Sequence, residues 1–143
     1  MKLLYALILV GLMINDVDAD VPNSAIRTSN TKNICTTLTD TVRNVPKSLK
    51  TNVFIRDGGD LTKRHQYEVD HRIALSSGGS NDITNLKLQS YSGSCNAHDK
   101  DKLEAKFHSL ICKGKIKVTE AQDILYNSWE DGYKKYIDPN GCK

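Results

Sequence analysis

Close cysteine pairs are missing from this chain: Cys35, Cys95, Cys112 and Cys142 are widely scattered, and no two stand in a CxxC arrangement. That spacing excludes a zinc knuckle or ribbon built on thiolate pairs. Long apolar runs are also scarce. The single one, Leu3 to Ile14, falls short of the ~20 residues that a membrane-spanning helix needs. There is no internal repeat, no low-complexity tract and no sign of a second domain. Charge of one sign is not dominant either, because 20 Lys and Arg against 17 Asp and Glu leave a formal balance of +3. So small an excess is compatible with a polyanionic partner but does not specify one.

What is present begins with a segment of export character. Lys2 precedes the apolar run, and the small residues Val17 and Ala19 fit cleavage before Asp20. Residues 1–19 are therefore expected to be a secretory signal and residues 20–143 a single domain of ordinary size. Losing one Lys and two Asp with the signal moves the balance from +3 to +4. In an exported chain four cysteines point to disulfides, with three pairings open. Two bridges would each hold about 2–5 kcal/mol in a small secreted domain.

Along the chain, Asp20 to Asn33 is polar and reads as an exposed arm. Ile34 to Leu49 carries apolar residues near helical period, weakened by three threonines and stopped at Pro46. Val53 to Ile55 reads as a strand or loop anchor before a turn at Asp57 to Asp60. Tyr67 to Leu75 alternates as a strand should, the loop Ser76 to Thr84 is rich in turn formers, and Asn85 to Gln89 alternates again. Asn96 is a good N-cap for a helix with the stripe Leu103, Phe107, Leu110 and Ile111, closed by Gly114. Thr119 with Gln122 forms a capping-box pattern for one further helix running through Trp129 and Tyr133 towards Tyr136. Trp129 and Tyr133 read as core. The fold class expected is α+β, a small antiparallel hairpin packed against helices.

The residues that could carry chemistry lie between Tyr67 and Leu103. Phosphodiester hydrolysis needs a base for water, a cation to neutralise phosphate charge, and a group that holds the base. His71 can be the base, since imidazole with a reference pKa of about 6.5 is partly neutral near physiological pH. Asp70 can hold a hard divalent cation, and Asn85 can orient the His71 ring through its amide. An Asp-His pair alone carries little weight. Strand alternation also sends Asp70 and His71 to opposite faces, with Glu68 on the Asp70 side. Lys100 and Lys102 begin near this site and could follow phosphates, although such lysines also simply solvate a helix face.

The run Glu68-Val69-Asp70-His71, followed by Ala74-Leu75, Gly78-Gly79-Ser80-Asn81-Asp82, Asn85-Leu86 and the helix opening at Asn96-Ala97-His98-Asp99-Lys100-Asp101-Lys102-Leu103-Glu104, resembles the core of the HNH endonucleases. The likeness is greater to small, mostly bacterial HNH-like proteins and extends from Ile34-Cys35 through Cys112 and Gly114 to Ala121-Gln122, Trp129 and Tyr133-Lys134-Lys135-Tyr136. It covers most of the mature chain. It implies a ββα-metal (His-Me finger) core over about residues 67–112, with His71 as general base, Asn85 as positioning residue, and Asp70 and His98 as metal ligands. Mg2+ is the implied ion, with Mn2+ or Zn2+ as alternatives. Here the family pattern of His followed three residues later by Lys is broken, because Ala97 precedes Lys100 at that distance and His98 is followed by Asp101. Asn96, His98 and Asp101 therefore all stay open as the third ligand. The resemblance matches Cys35 and Cys112, which implies Cys35–Cys112 and leaves Cys95 with Cys142.

Together these readings describe a secreted, monomeric, metal-dependent endonuclease acting on DNA, or on RNA, with little sequence specificity, since no separate base-reading module is visible. The other reading is a catalytically inactive, disulfide-stapled protein that binds nucleic acid or another anion on the same fold. A secreted toxin or immunity effector is a third.

Overall fold

A computed structural model of the chain describes residues 19–143. The expected signal peptide lies outside the described residues, apart from Ala19. Besides short 3-10 turns, six α-helices and one hairpin follow in order among the described residues: α1 (Thr31–Thr36), α2 (Thr39–Val42), α3 (Lys47–Arg56), β1 (Tyr67–His71), β2 (Leu86–Ser90), α4 (Ala97–Cys112), α5 (Val118–Asn127) and α6 (Trp129–Tyr136). The class is α+β, as expected, with β1 and β2 antiparallel in the register Tyr67 to Ser90 through His71 to Leu86. No described helix is long and apolar enough to cross a membrane.

α4 organises the packing. The Asn96 side chain accepts from the His98 and Asp99 N–H groups at its start, and Gly114, at φ +64°, lies just past its end. Leu103, Phe107 and Ile111 recur at every fourth residue and are buried with Ile34 of α1, Leu125 of α5 and Tyr133 of α6. Each such side chain contributes about 1.5–3 kcal/mol by leaving water. Both bridges form as expected, Cys35–Cys112 tying α1 to the end of α4, and Cys95–Cys142 tying the tail to the entrance of α4.

Several local expectations are corrected. Val53 to Ile55 belongs to α3, not to a strand, and Pro46 starts that helix. Three apolar residues in a row do not distinguish a strand from a helix when only Val53 and Phe54 find a core. Thr119 lies inside α5, whose N-cap is Lys117, and the helix expected to reach Tyr136 breaks at Ser128 into α5 and α6. β1 stops at His71 rather than Leu75, since the Arg72 N–H bonds the Asn85 carbonyl and the Asn85 side chain takes over at Ile73. The N-terminal arm is docked: Ala25 is fully buried and Ile26 bridges to Gly79. Backbone contacts hold it, and Gly78 permits them, while Gly79 lets the loop fold back on Ile73. A Cβ on Gly78 would stand 2.1 Å from the Thr28 carbonyl, and one on Gly79 1.8 Å from the Ile73 carbonyl.

Candidate functional site

Where β1 ends, its alternation sends two side chains to different neighbours. Asp70 turns to α4, and its Oδ2 accepts from Lys100 Nζ at 2.6 Å. His71, only 4% exposed, turns the other way and sets Nε2 3.1 Å from Oδ1 of Asn81. The opposition expected from a flat strand is therefore real, and the two groups are joined through Lys100, whose ammonium also donates to the His71 carbonyl at 2.8 Å.

The direction of the Asn81 amide assigns the His71 proton. Asn81 Nδ2 donates to the Val42 carbonyl at 2.7 Å, while its Oδ1 accepts from the Asn44 N–H at 3.1 Å. Flipping the amide would face donor with donor and acceptor with acceptor, so Oδ1 is the atom beside the ring. Nε2 accordingly carries the hydrogen and the Nδ1 lone pair is the basic one, an assignment made from the network. Burial pushes the His71 pKa below its ordinary value. The Asn81 bond and Asp70 oppose that, while the positive charges of Arg43 and Lys100 add to it. The ring is thus held neutral at neutral pH, which is what a proton acceptor requires.

Asn85 has a different task from the one expected of it. Its Oδ1 accepts from the Ile73 N–H at 2.8 Å, and its Nδ2 donates to the Ile73 carbonyl at 3.0 Å and the Ser80 carbonyl at 2.8 Å. The fully buried amide closes the loop between the strands, and that loop carries Asn81 to the ring. Asn85 therefore acts on His71 through the loop path, while Asn81 makes the contact. The two asparagines stand four residues apart, and that spacing does not say which of them reaches the ring.

Lys100 is not a surface lysine awaiting a phosphate. It is 2% exposed, and its ammonium donates to Asp70, Glu104 and the His71 carbonyl, one acceptor for each of its three hydrogens. Burial works against its charge, but Glu104 and Asp70 outweigh it and raise the pKa above that of a free lysine. Glu104, four residues on along the same helix face, was not singled out from the sequence, although that spacing was readable. Its carboxyl is pushed up to about 7, by burial first and by repulsion from Asp70 and Asp101, with Lys100 pulling the other way. Glu68, half-buried on the Asp70 face, is raised by burial and by Asp70. Lys102 is largely exposed and donates to Asp99 at 2.9 Å.

Asp70 and Glu104 offer hard oxygens, but Lys100 bonds both. The His98 side chain is 67% exposed, stacked on Tyr91 with ring centroids 5.5 Å apart, and its nearest carboxylate is Asp101 at 4.0 Å. Asn96 is engaged in capping α4. Among the described residues no three His, Cys, Asp or Glu side chains are grouped to hold one ion. The cation beside Asp70 in this arrangement is the protein's own Lys100.

Beside Asp70 and Lys100 opens a cleft of about 500 Å3 between the hairpin face and the α5–α6 junction, with Arg72, Lys87 and Trp129 in its walls. Asp70 and Lys87 stand opposite one another in the hairpin, so both face it. Tyr133 is core as expected, whereas Trp129 is only partly buried. Comparison of the chain with family models, with characterised proteins and with solved structures finds no match.

Proposed function

We propose that the chain is a secreted endonuclease of the HNH type that hydrolyses phosphodiester bonds in nucleic acid with little sequence specificity. The observation that supports this best is His71. It is a buried neutral imidazole at the end of β1, oriented by a fixed amide and standing next to a carboxylate–ammonium pair. The order β1, β2, α4, with His71 on the first strand and Asp70 clasped to the helix, fits the ββα-metal core that the family resemblance implies. In this reading His71 Nδ1 takes the proton of an attacking water. The water oxygen bonds phosphorus, the bond from phosphorus to the leaving sugar oxygen breaks, and that oxygen gains a proton from solvent.

The divalent ion, Mg2+ first with Mn2+ or Zn2+ as alternatives, belongs to this proposal through the resemblance alone, since the side chains around Asp70 do not form its shell. No step is routed through it. Export belongs to the proposal as well, supported by the two disulfides and the apolar segment ahead of Asp20. Purified protein incubated with supercoiled plasmid, with and without chelator, tests the reading. Nicking that His71→Ala abolishes supports it, and an intact plasmid under all conditions favours a binding protein on the same fold.

A further inference from the structure

The cleft beside Asp70 continues past the strand. A second hollow of about 340 Å3 adjoins it, and the two share Arg72, Lys87 and Tyr126 as their common ridge. That ridge is cationic and stiff. The Arg72 guanidinium sits over the Tyr126 ring, its central carbon 3.7 Å from the centroid, and donates through Nη2 and Nε to the Tyr126 carbonyl at 2.6 and 3.2 Å. Both bonds use one side of the guanidinium, so Nη1 keeps its hydrogens without a protein partner among the described residues. Lys87 is exposed and has no carboxylate within ion-pair distance among the described residues, although it sits across the hairpin from Asp70. The far wall of the larger hollow has a different character. It carries Trp129 with Glu130 and Asp131, a surface for a ring and for amino groups, not for a phosphate.

Two adjoining hollows of this size do not admit a stacked duplex, but each suits a single nucleotide turned out of its stack. Bases freed from a duplex are held on aromatic faces, with phosphates on a basic track. We infer that the ridge and the larger hollow form a subsite for single-stranded nucleic acid on the Asp70 side of the hairpin, with a phosphate on Arg72 and Lys87 and the adjoining base against Trp129. This inference rests on the nuclease reading and names its substrate form. Asp70 on the hairpin is bonded by Lys100, and the other carboxylates of the larger hollow, Glu130 and Asp131, lie on the helix side, so the strand has one orientation in cross-section, backbone over Arg72 and Lys87 and base towards α6.

Trp129 is the chain's one tryptophan, so its fluorescence reports on this wall alone. The experiment titrates a single-stranded DNA oligomer of mixed sequence, and a blunt hairpin duplex of equal charge, into His71→Ala protein. The same titration is read in wild-type protein within the first second of mixing, in case the buried substitution unfolds the chain. The expected result is saturable quenching by the single strand and about tenfold weaker binding by Lys87→Ala, with the slope of log Kd against log salt reduced by about one. The duplex is expected to leave the fluorescence unchanged. Oligomer binding seen by anisotropy with Trp129 unaffected, or equal quenching by duplex, overturns the subsite while plasmid nicking keeps the nuclease reading standing. No binding together with no nicking overturns both.

Discussion

Lys100 and Asp70 are bonded at 2.6 Å across the junction of α4 and β1, with the lysine side chain 2% exposed and the carboxylate 16%. The pair couples the helix to the strand that carries His71. Because Glu104 and the His71 carbonyl complete the ammonium's shell, removing the lysine leaves two carboxylates poorly compensated. Lys100→Met is expected to lower stability by about 3–5 kcal/mol. Adding Glu104→Gln is expected to return part of that loss. Urea unfolding midpoints of the wild type and both variants check it, and a single variant within 1 kcal/mol of wild type, about the scale of an exposed pair, would show that the clasp is idle.

The Glu104 carboxyl gives the fold a pH dependence of definite sign. Its folded pKa of about 7 lies above its ordinary value of 4.5, so between those limits the folded state binds more protons than the unfolded one. Its contribution to stability is therefore full below the ordinary value and declines as pH rises towards 7. In Glu104→Gln that decline is absent. The melting temperature of wild type relative to the variant is expected to fall between pH 4.5 and 7, and a difference that stays flat or rises over that range contradicts the assignment.

Asn85 and Asn81 should separate in their effects. Asn85→Ala strips partners from the Ile73 N–H and from the Ile73 and Ser80 carbonyls, at about 1–3 kcal/mol for each buried group left unpaired. It is expected to lower the melting temperature strongly. Asn81→Ala frees the His71 ring and is expected to cost cleavage about tenfold or more, with a smaller loss of stability, since positioned proton transfer contributes about 10²–10⁴-fold. Circular dichroism melts paired with cleavage rates measure both. Equal loss of stability with unchanged cleavage in Asn81→Ala would contradict the assigned contact.

The hairpin, the α4 stripe with its caps and the class of the fold were legible because each has a local periodic or capping signature. The disulfide pairing came from the family resemblance. What the sequence hid depends on long-range partners. Gln122 reads as a capping-box residue, yet it is 1% exposed and its side chain donates to the Thr28 and Ser77 carbonyls, 94 and 45 residues away. His98 lies in the first turn of α4 with its ring exposed and stacked on Tyr91, a neighbour that its place in the sequence does not give. Which asparagine reaches His71 is set by the path of the loop, and spacing alone does not encode it.

The bridges close long loops, with sequence separations of 77 for Cys35–Cys112 and 47 for Cys95–Cys142. The chain-entropy relation gives about 4 kcal/mol for either, in the usual range of about 2–5 kcal/mol. Replacing Cys35 and Cys112 together by Ser is expected to lower the unfolding free energy by that order and to expose Ile34 of α1. Hydrogen exchange that stays protected at Ile34 in the double variant would count against this.

The central claim is that the His71 imidazole accepts a proton during cleavage. The most direct measurement is the rate at which purified wild-type and His71→Ala protein convert supercoiled plasmid to open circles, read beside their circular dichroism spectra, with Mg2+ supplied. The account predicts cleavage by the wild type and a loss of at least about 100-fold in a folded variant, the scale of a missing general base. Wild-type cleavage rates in folded His71→Ala protein would contradict it.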